Sequence, residues 1–195
     1  MPVECGGNGN ENRWPLRRPD FMYKVLMRRR EQRTGCRREG TDRMRMNIGQ
    51  WKIDVDVEAT RAFYAGAPAL LVPCDCAGCR NFHRAIGFMP LGAVAMLRGM
   101  GVDPLNPAEQ WVYGPSQGEC TLLYGAFWHM CGRILSGPRG QRCTGEADGV
   151  CYSIGTQCAL VPEGFPEPVL QVDMTMKLPW VLEEENAYGH LQQRK

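Results

Sequence analysis

Leu170, Val172, Met174, Met176 and Leu178 alternate with Gln171, Asp173, Thr175 and Lys177, and no other feature limits the folds open to this chain as tightly. Successive side chains of a strand point to opposite faces, so a period of two predicts a strand packed on one face and solvated on the other. Half-buried strands of this kind belong to antiparallel sheets, because the strands of parallel sheets are covered on both faces and read as continuous apolar runs. Trp51, Ile53, Val55 and Val57 repeat the pattern against Lys52, Asp54, Asp56 and Glu58. The three acids are expected to form a solvated strand face.

Further strands are expected over 109–113, 121–135 and 150–161, with Gly125 and Gly132 marking bulges or bends. The Gly-rich stretch 137–149 is expected to be an exposed loop. Helical spacing is confined to the region between the first strand and the second. Residues 58–64 suggest a short helical turn, and 80–88 a helix that buries Phe82, Ala85 and Ile86. Pro90 is placed to start a second helix, with Leu91, Val94, Ala95 and Leu97 on its apolar face and Gly99 and Gly101 at its end. Strand–helix–strand units do not repeat. The expected class is therefore α+β, a mainly antiparallel sheet or β-sandwich with a two-helix insertion after the first strand.

Composition divides the chain of 195 residues at Met46. Residues 1–45 hold 12 Lys/Arg against 6 Asp/Glu, and 46–195 hold 11 against 15. The first segment, rich in Gly, Asn and Arg, has no sustained apolar period and is expected to be a basic disordered leader. Arg28-Arg29-Arg30 and Arg37-Arg38 suit a nucleic-acid arm, and 21–33 could form an amphipathic helix. The reading adopted is that translation begins at Met44 or Met46 and that the upstream residues are a gene-start artefact. Residues 46–185 form the expected single domain and 186–195 a polar tail. The mild acidity of the domain argues against a phosphate-binding face on it. No apolar run reaches the ~18 residues of a membrane span, and none resembles a signal peptide. The expected compartment is the cytoplasm, where the ten cysteines stay reduced and clustered thiols read as metal sites.

One such cluster exists. Cys74, Cys76 and Cys79 stand in Pro73-Cys74-Asp75-Cys76-Ala77-Gly78-Cys79-Arg80-Asn81-Phe82-His83. Three soft thiolates held within six residues can turn toward one point and suit a tetrahedral metal, zinc above all. His83 is the candidate fourth ligand by proximity. His129 and Cys131, at i and i+2 on one strand face, and water are the alternatives. The C-x-x-C spacing of Cys76 and Cys79 also permits redox chemistry, but no thioredoxin-like context surrounds it. Cys120, Cys143, Cys151 and Cys158 have no ligand spacing and read as packing residues.

Trp51-Lys52-Ile53-Asp54-Val55-Asp56-Val57-Glu58, the Cys74–Phe82 core, Gly101-Val102-Asp103-Pro104 and Leu178-Pro179-Trp180-Val181-Leu182 resemble a family of small bacterial proteins without an established activity. The resemblance covers about residues 46–185. It implies that the three cysteines belong to the family's pattern and that the His83 position does not.

No G-x-S-x-G elbow, phosphate loop or acid/base set accompanies the cluster. The expected function is that of a non-enzymatic zinc protein that binds another protein, as an adaptor or immunity-type domain would. The alternatives are a metal-dependent hydrolase with an open zinc position, and a nucleic-acid-binding zinc module.

Overall fold

Arg43–Ile48 (β1) and Trp51–Asp56 (β2) pair as an antiparallel hairpin, Ile48 opposite Trp51. Gly49 takes the first central position of the two-residue turn at φ +57°, a conformation the primed hairpin turns need and side chains disfavour. In this computed structural model the described residues are 43–71, 74–116, 121–138, 142–186 and 188–189. The possible nucleic-acid arm, the possible helix over 21–33 and Cys120 fall outside them. Of the leader expected over 1–45, only Arg43, Met44 and Arg45 are described. They form the first half of β1, opposite Asp56, Val55 and Asp54.

Three helices follow β2: Val57–Gly66 (α1), Ala77–Ala85 (α2) and Leu91–Gly99 (α3), with a 3₁₀ turn at Ile86–Phe88. The segment expected as one short turn is thus a full helix. Asp56 starts it, accepting a 3.0 Å bond from Ala59 N as an N-cap. The chain then forms Glu109–Pro115 (β3), Thr121–Ser136 (β4), Cys143–Ala147 (β5), Val150–Gly155 (β6) and Val169–Pro179 (β7). All described pairings are antiparallel, in the order β1-β2-β4-β7-β6-β5, with β3 also paired to β4. The α+β class and the helical insertion hold, with three helices in place of two.

The expected loop over 137–149 contains β5. Its polar composition hid a hairpin whose turn, Asp148-Gly149, has φ of 54° and 78°, the Asp-Gly signature of a tight turn. Gly125 marks neither a bulge nor a bend. It stays in register with Trp111 and Thr175, and a Cβ there would lie 2.3 Å from the Trp111 ring. Nor do the three acids form one solvated strand face: Glu58 is exposed but lies on α1. Asp54 is 5% exposed and meets Arg43 at 3.1 Å, Arg133 at 3.6 Å and Arg45 at 3.9 Å, so flanking cations compensate its burial.

One face of the sheet carries the core. Leu122, Tyr124, Ala126, Trp128 and Met130 of β4 lie opposite Leu178, Met176, Met174, Val172 and Leu170 of β7, and all ten are buried. Phe82, Ala85, Ala93 and Leu97 from α2 and α3 join the same cluster. On the other face Phe127, His129 and Phe165 meet edge to face in sequence, with ring centroids 5.6 and 5.7 Å apart.

β4 is shared along one edge. β3 pairs with it as far as Phe127 and β2 pairs with it from Gly132 onward. Side chains of α1 fill the gap between them. The Tyr64 hydroxyl donates to His129 O at 3.0 Å and accepts from His129 N at 3.2 Å. The Thr60 hydroxyl accepts from Cys131 N at 2.9 Å and donates to Asp56 O at 2.8 Å. Buried backbone groups must be paired, and here two hydroxyls stand in for a strand.

Two outcomes test this arrangement. Val172→Asp should abolish folding, since an unpaired buried charge costs several kcal/mol against a total of about 5–15. Thr175→Asp, on the opposite and part-exposed face, should cost less than about 1 kcal/mol. Equal losses in circular dichroism melts would refute the register. Tyr64→Phe should lower unfolding free energy in urea by about 1–3 kcal/mol, because it strands His129 N and O without a partner. An unchanged midpoint would mean that water reaches the gap.

Candidate metal centre

Cys76 closes the start of α2 with its own side chain. Its Sγ accepts from Cys79 N at 3.4 Å, the position usually held by Ser, Thr, Asp or Asn. A sulfur at a helix N-terminus faces the unpaired N–H groups and the positive end of the helix dipole. The Cys76 thiol is accordingly lowered, first by the Cys79 N–H and then by the Cys79 and Cys74 side chains. Cys79, within the first turn of the helix, is partly buried. Burial pushes its thiol up to about 12, and the Cys74 and Cys76 sulfurs add to the rise.

The local turn brings the three sulfurs of Cys74, Cys76 and Cys79 within 4.8 Å of one another. In a tetrahedral site with Zn–S of about 2.3 Å, neighbouring sulfurs lie about 3.8 Å apart, so the set is near the required spacing. Cys74 and Cys76 are exposed and Cys79 is partly buried. One side of the cluster therefore opens outward while the other faces the protein.

α2 is held to the sheet by hydrogen bonds that a helical period does not reveal. Asn81, fully buried, donates from Nδ2 to Tyr124 Oη at 3.1 Å and to Pro179 O at 3.0 Å. Its Oδ1 accepts from Val181 N at 2.8 Å. Tyr124 Oη in turn donates to Gly78 O at 3.0 Å. Gly78 lets the helix approach this closely. A Cβ there would meet Tyr188 Oη at 2.5 Å and a Val112 methyl at 2.8 Å. On the outer side Arg80 bonds Asp75 O and the Glu184 carboxylate.

A fourth polar group reaches the cluster from the sheet. Gln110 of β3 is 8% exposed and places Nε2 2.7 Å from Cys79 Sγ. Its Oε1 is buried without a hydrogen-bond partner.

The residues singled out in the sequence separate as follows. Cys74, Cys76 and Cys79 come together as expected. His83 stands outside their set, exposed near the end of α2, with its ring edge-on to Phe82. His129, fully buried, points Nε2 at Ala159 O at 2.9 Å, and burial lowers its pKa. Cys131 Sγ lies 3.5 Å from Glu167 O. Neither joins the thiols. Gln110, Asn81 and Tyr124 escaped the sequence reading. The one available signal was a polar residue at an inward position of an apolar strand or helix. Among the described residues, the cysteines are all free thiols.

No protein family matches the chain, and no curated protein or solved structure does. The resemblance to small bacterial proteins therefore rests on the quoted residues alone.

The Asn81 network yields a direct test. Asn81→Ala should destabilise the protein by about 2–4 kcal/mol in chemical denaturation, since it leaves several buried groups unpaired. A loss below about 0.5 kcal/mol would show that α2 is fixed by apolar packing alone.

Proposed function

We propose that this protein is a zinc-binding, non-enzymatic protein in which the Cys74–Cys79 turn, loaded with metal, secures the helical insertion to the sheet and leaves the outer surface free for a protein partner. An adaptor or immunity-type role fits such a design. The observation that carries the reading is the convergence of three sulfurs within 4.8 Å, in a set containing neither carboxylate nor histidine. Thiolates select zinc over the hard cations, and thiolate-rich ligand sets are typical of structural zinc. The cytoplasm is the compartment in which such thiols would stay reduced. Among the described residues, no helix is long and apolar enough to cross a membrane.

The exposure of Cys74 and Cys76 favours one rival, a metal-dependent hydrolase with water in an open position. Asp75, the acid within the turn, would have to serve as its base. Loss of a hydrolytic activity in Asp75→Asn with metal content intact would establish that rival.

Metal analysis of protein purified without chelator should give close to one zinc per chain. Less than about 0.3 would end the metal reading, since structural zinc sites bind tightly at neutral pH. Replacing Cys74, Cys76 or Cys79 by Ser exchanges a soft thiolate for a poor neutral ligand. Each single variant should lose metal to a similar extent, and the triple variant should melt little below any single one. A chelator should reproduce that loss in the unaltered protein. Small, additive shifts without chelator sensitivity would identify ordinary reduced thiols.

A further inference from the structure

Three thiolates occupy three corners of a tetrahedron, and the character of the site depends on what takes the fourth. We propose that Gln110 supplies it, binding the metal through its amide oxygen and closing the position to water. This inference rests on the metal reading above and specifies it as a closed Cys₃Gln centre.

Gln110 projects from β3 on the face that carries the core, opposite Ala126, and is 8% exposed. Its amide already touches the cluster, with Nε2 2.7 Å from Cys79 Sγ. The other end of the amide, Oε1, is buried with no hydrogen-bond partner. A buried carbonyl oxygen left unpaired is unfavourable, and native structures rarely tolerate one without a cause. The two ends of a side-chain amide exchange by a half-turn about one bond, and their assignment follows from the surrounding partners. A cation among the sulfurs reverses the preference and draws the oxygen inward, giving the orphaned atom a partner.

The dimensions fit this exchange. Around zinc, with Zn–S of about 2.3 Å and Zn–O of about 2.1 Å, an oxygen and a sulfur ligand lie about 3.6 Å apart. The amide is nearer than that to Cys79 and has to withdraw by about 1 Å, within reach of the torsions of a four-bond side chain. Charge favours it too. Three thiolates on a divalent ion leave one net negative charge, and a neutral amide adds none in a partly buried setting where further charge would be costly. The histidine and cysteine alternatives lie elsewhere: His83 is exposed outside the thiol set, His129 meets Ala159 O and Cys131 lies beside Glu167 O.

Cobalt(II), which reports tetrahedral thiolate coordination in its visible spectrum, provides the probe. Paramagnetic relaxation of solvent protons in the cobalt form of the full chain should reveal no exchangeable inner-sphere water, and a rapidly exchanging water would overturn the proposal. Zinc affinity, measured by competition with a chromophoric chelator, adds a sign test. Gln110→Leu should bind about 10- to 100-fold more weakly and admit water to the cobalt form. Gln110→Glu, nearly the same shape and offering a carboxylate oxygen, should bind as tightly as the unaltered protein or more tightly. If Gln110 merely donates its N–H to the Cys79 sulfur, Gln110→Glu loses the donor and sets a negative charge beside a thiolate. Its affinity would then fall as far as that of Gln110→Leu, and the inference would be lost. Equal affinities in all three proteins would overturn it as well. The underlying reading fails separately: in that case the unaltered chain takes up neither zinc nor cobalt.

Discussion

The pairing of two short stretches of backbone on β4 with the hydroxyls of Tyr64 and Thr60 governs how the remainder of the molecule is assembled. β4 is too long for any one neighbour on that edge, and β3 and β2 share it end to end. Water could satisfy the gap at an exposed edge, but His129 and Cys131 are buried there. The chain meets the requirement by turning into α1 directly after β2. The helix capped by Asp56 therefore has two functions. It reverses the chain, and it completes a ladder that neither strand could complete alone.

The position of α1 in turn governs where the rest of the helical insertion can run. The chain leaves α1 at Gly66 and must return to the same edge, on the other side of the gap, to begin β3 opposite Phe127. α2 and α3 are laid over the apolar face on the way. α2 is then fixed by Asn81, which uses its amide donors and its acceptor on Tyr124 of β4 and on Pro179 and Val181 at the end of β7. A fully satisfied buried amide tolerates little displacement, because a small rotation breaks several bonds together. The thiol cluster inherits this precision. Cys76 and Cys79 ride on the first turn of a helix whose position against β3 and β4 is set by groups outside the cluster.

The strands that alternate cleanly, β2 and β7, were legible because each is read by one apolar face. β1 was equally regular, with Met44, Met46 and Ile48 partly buried between exposed Arg43, Arg45 and Asn47. Its arginines made it resemble the basic segment before it. They are there because Asp54 needs cations across the strand pair. β5 was hidden by its polar composition, although its Asp-Gly turn is a local signal that outweighs composition. At the site, the three cysteines were visible because their convergence is a matter of six residues. Asn81, Tyr124 and Gln110 lie on three different elements, and their meeting depends on the whole topology. No spacing rule could have joined them. His83, chosen for its nearness in sequence, stands outside the thiol set in the last turn of α2.

At the opposite end of the insertion, α3 begins at Pro90, which offers no side chain to its free N–H groups. The need is met from elsewhere: Asp148, at the tip of the β5–β6 hairpin, accepts from Gly92 N at 3.0 Å. The same aspartate leaves no room for a side chain at position 92, where a Cβ would fall 2.6 Å from its own. Two positions 56 residues apart are thereby bound into one inherited unit. Among chains that share this architecture, a larger residue at 92 should be found only where 148 is glycine, which removes the obstructing Cβ and the carboxylate together, and the helix in those chains should carry a serine, threonine or aspartate of its own in place of Pro90.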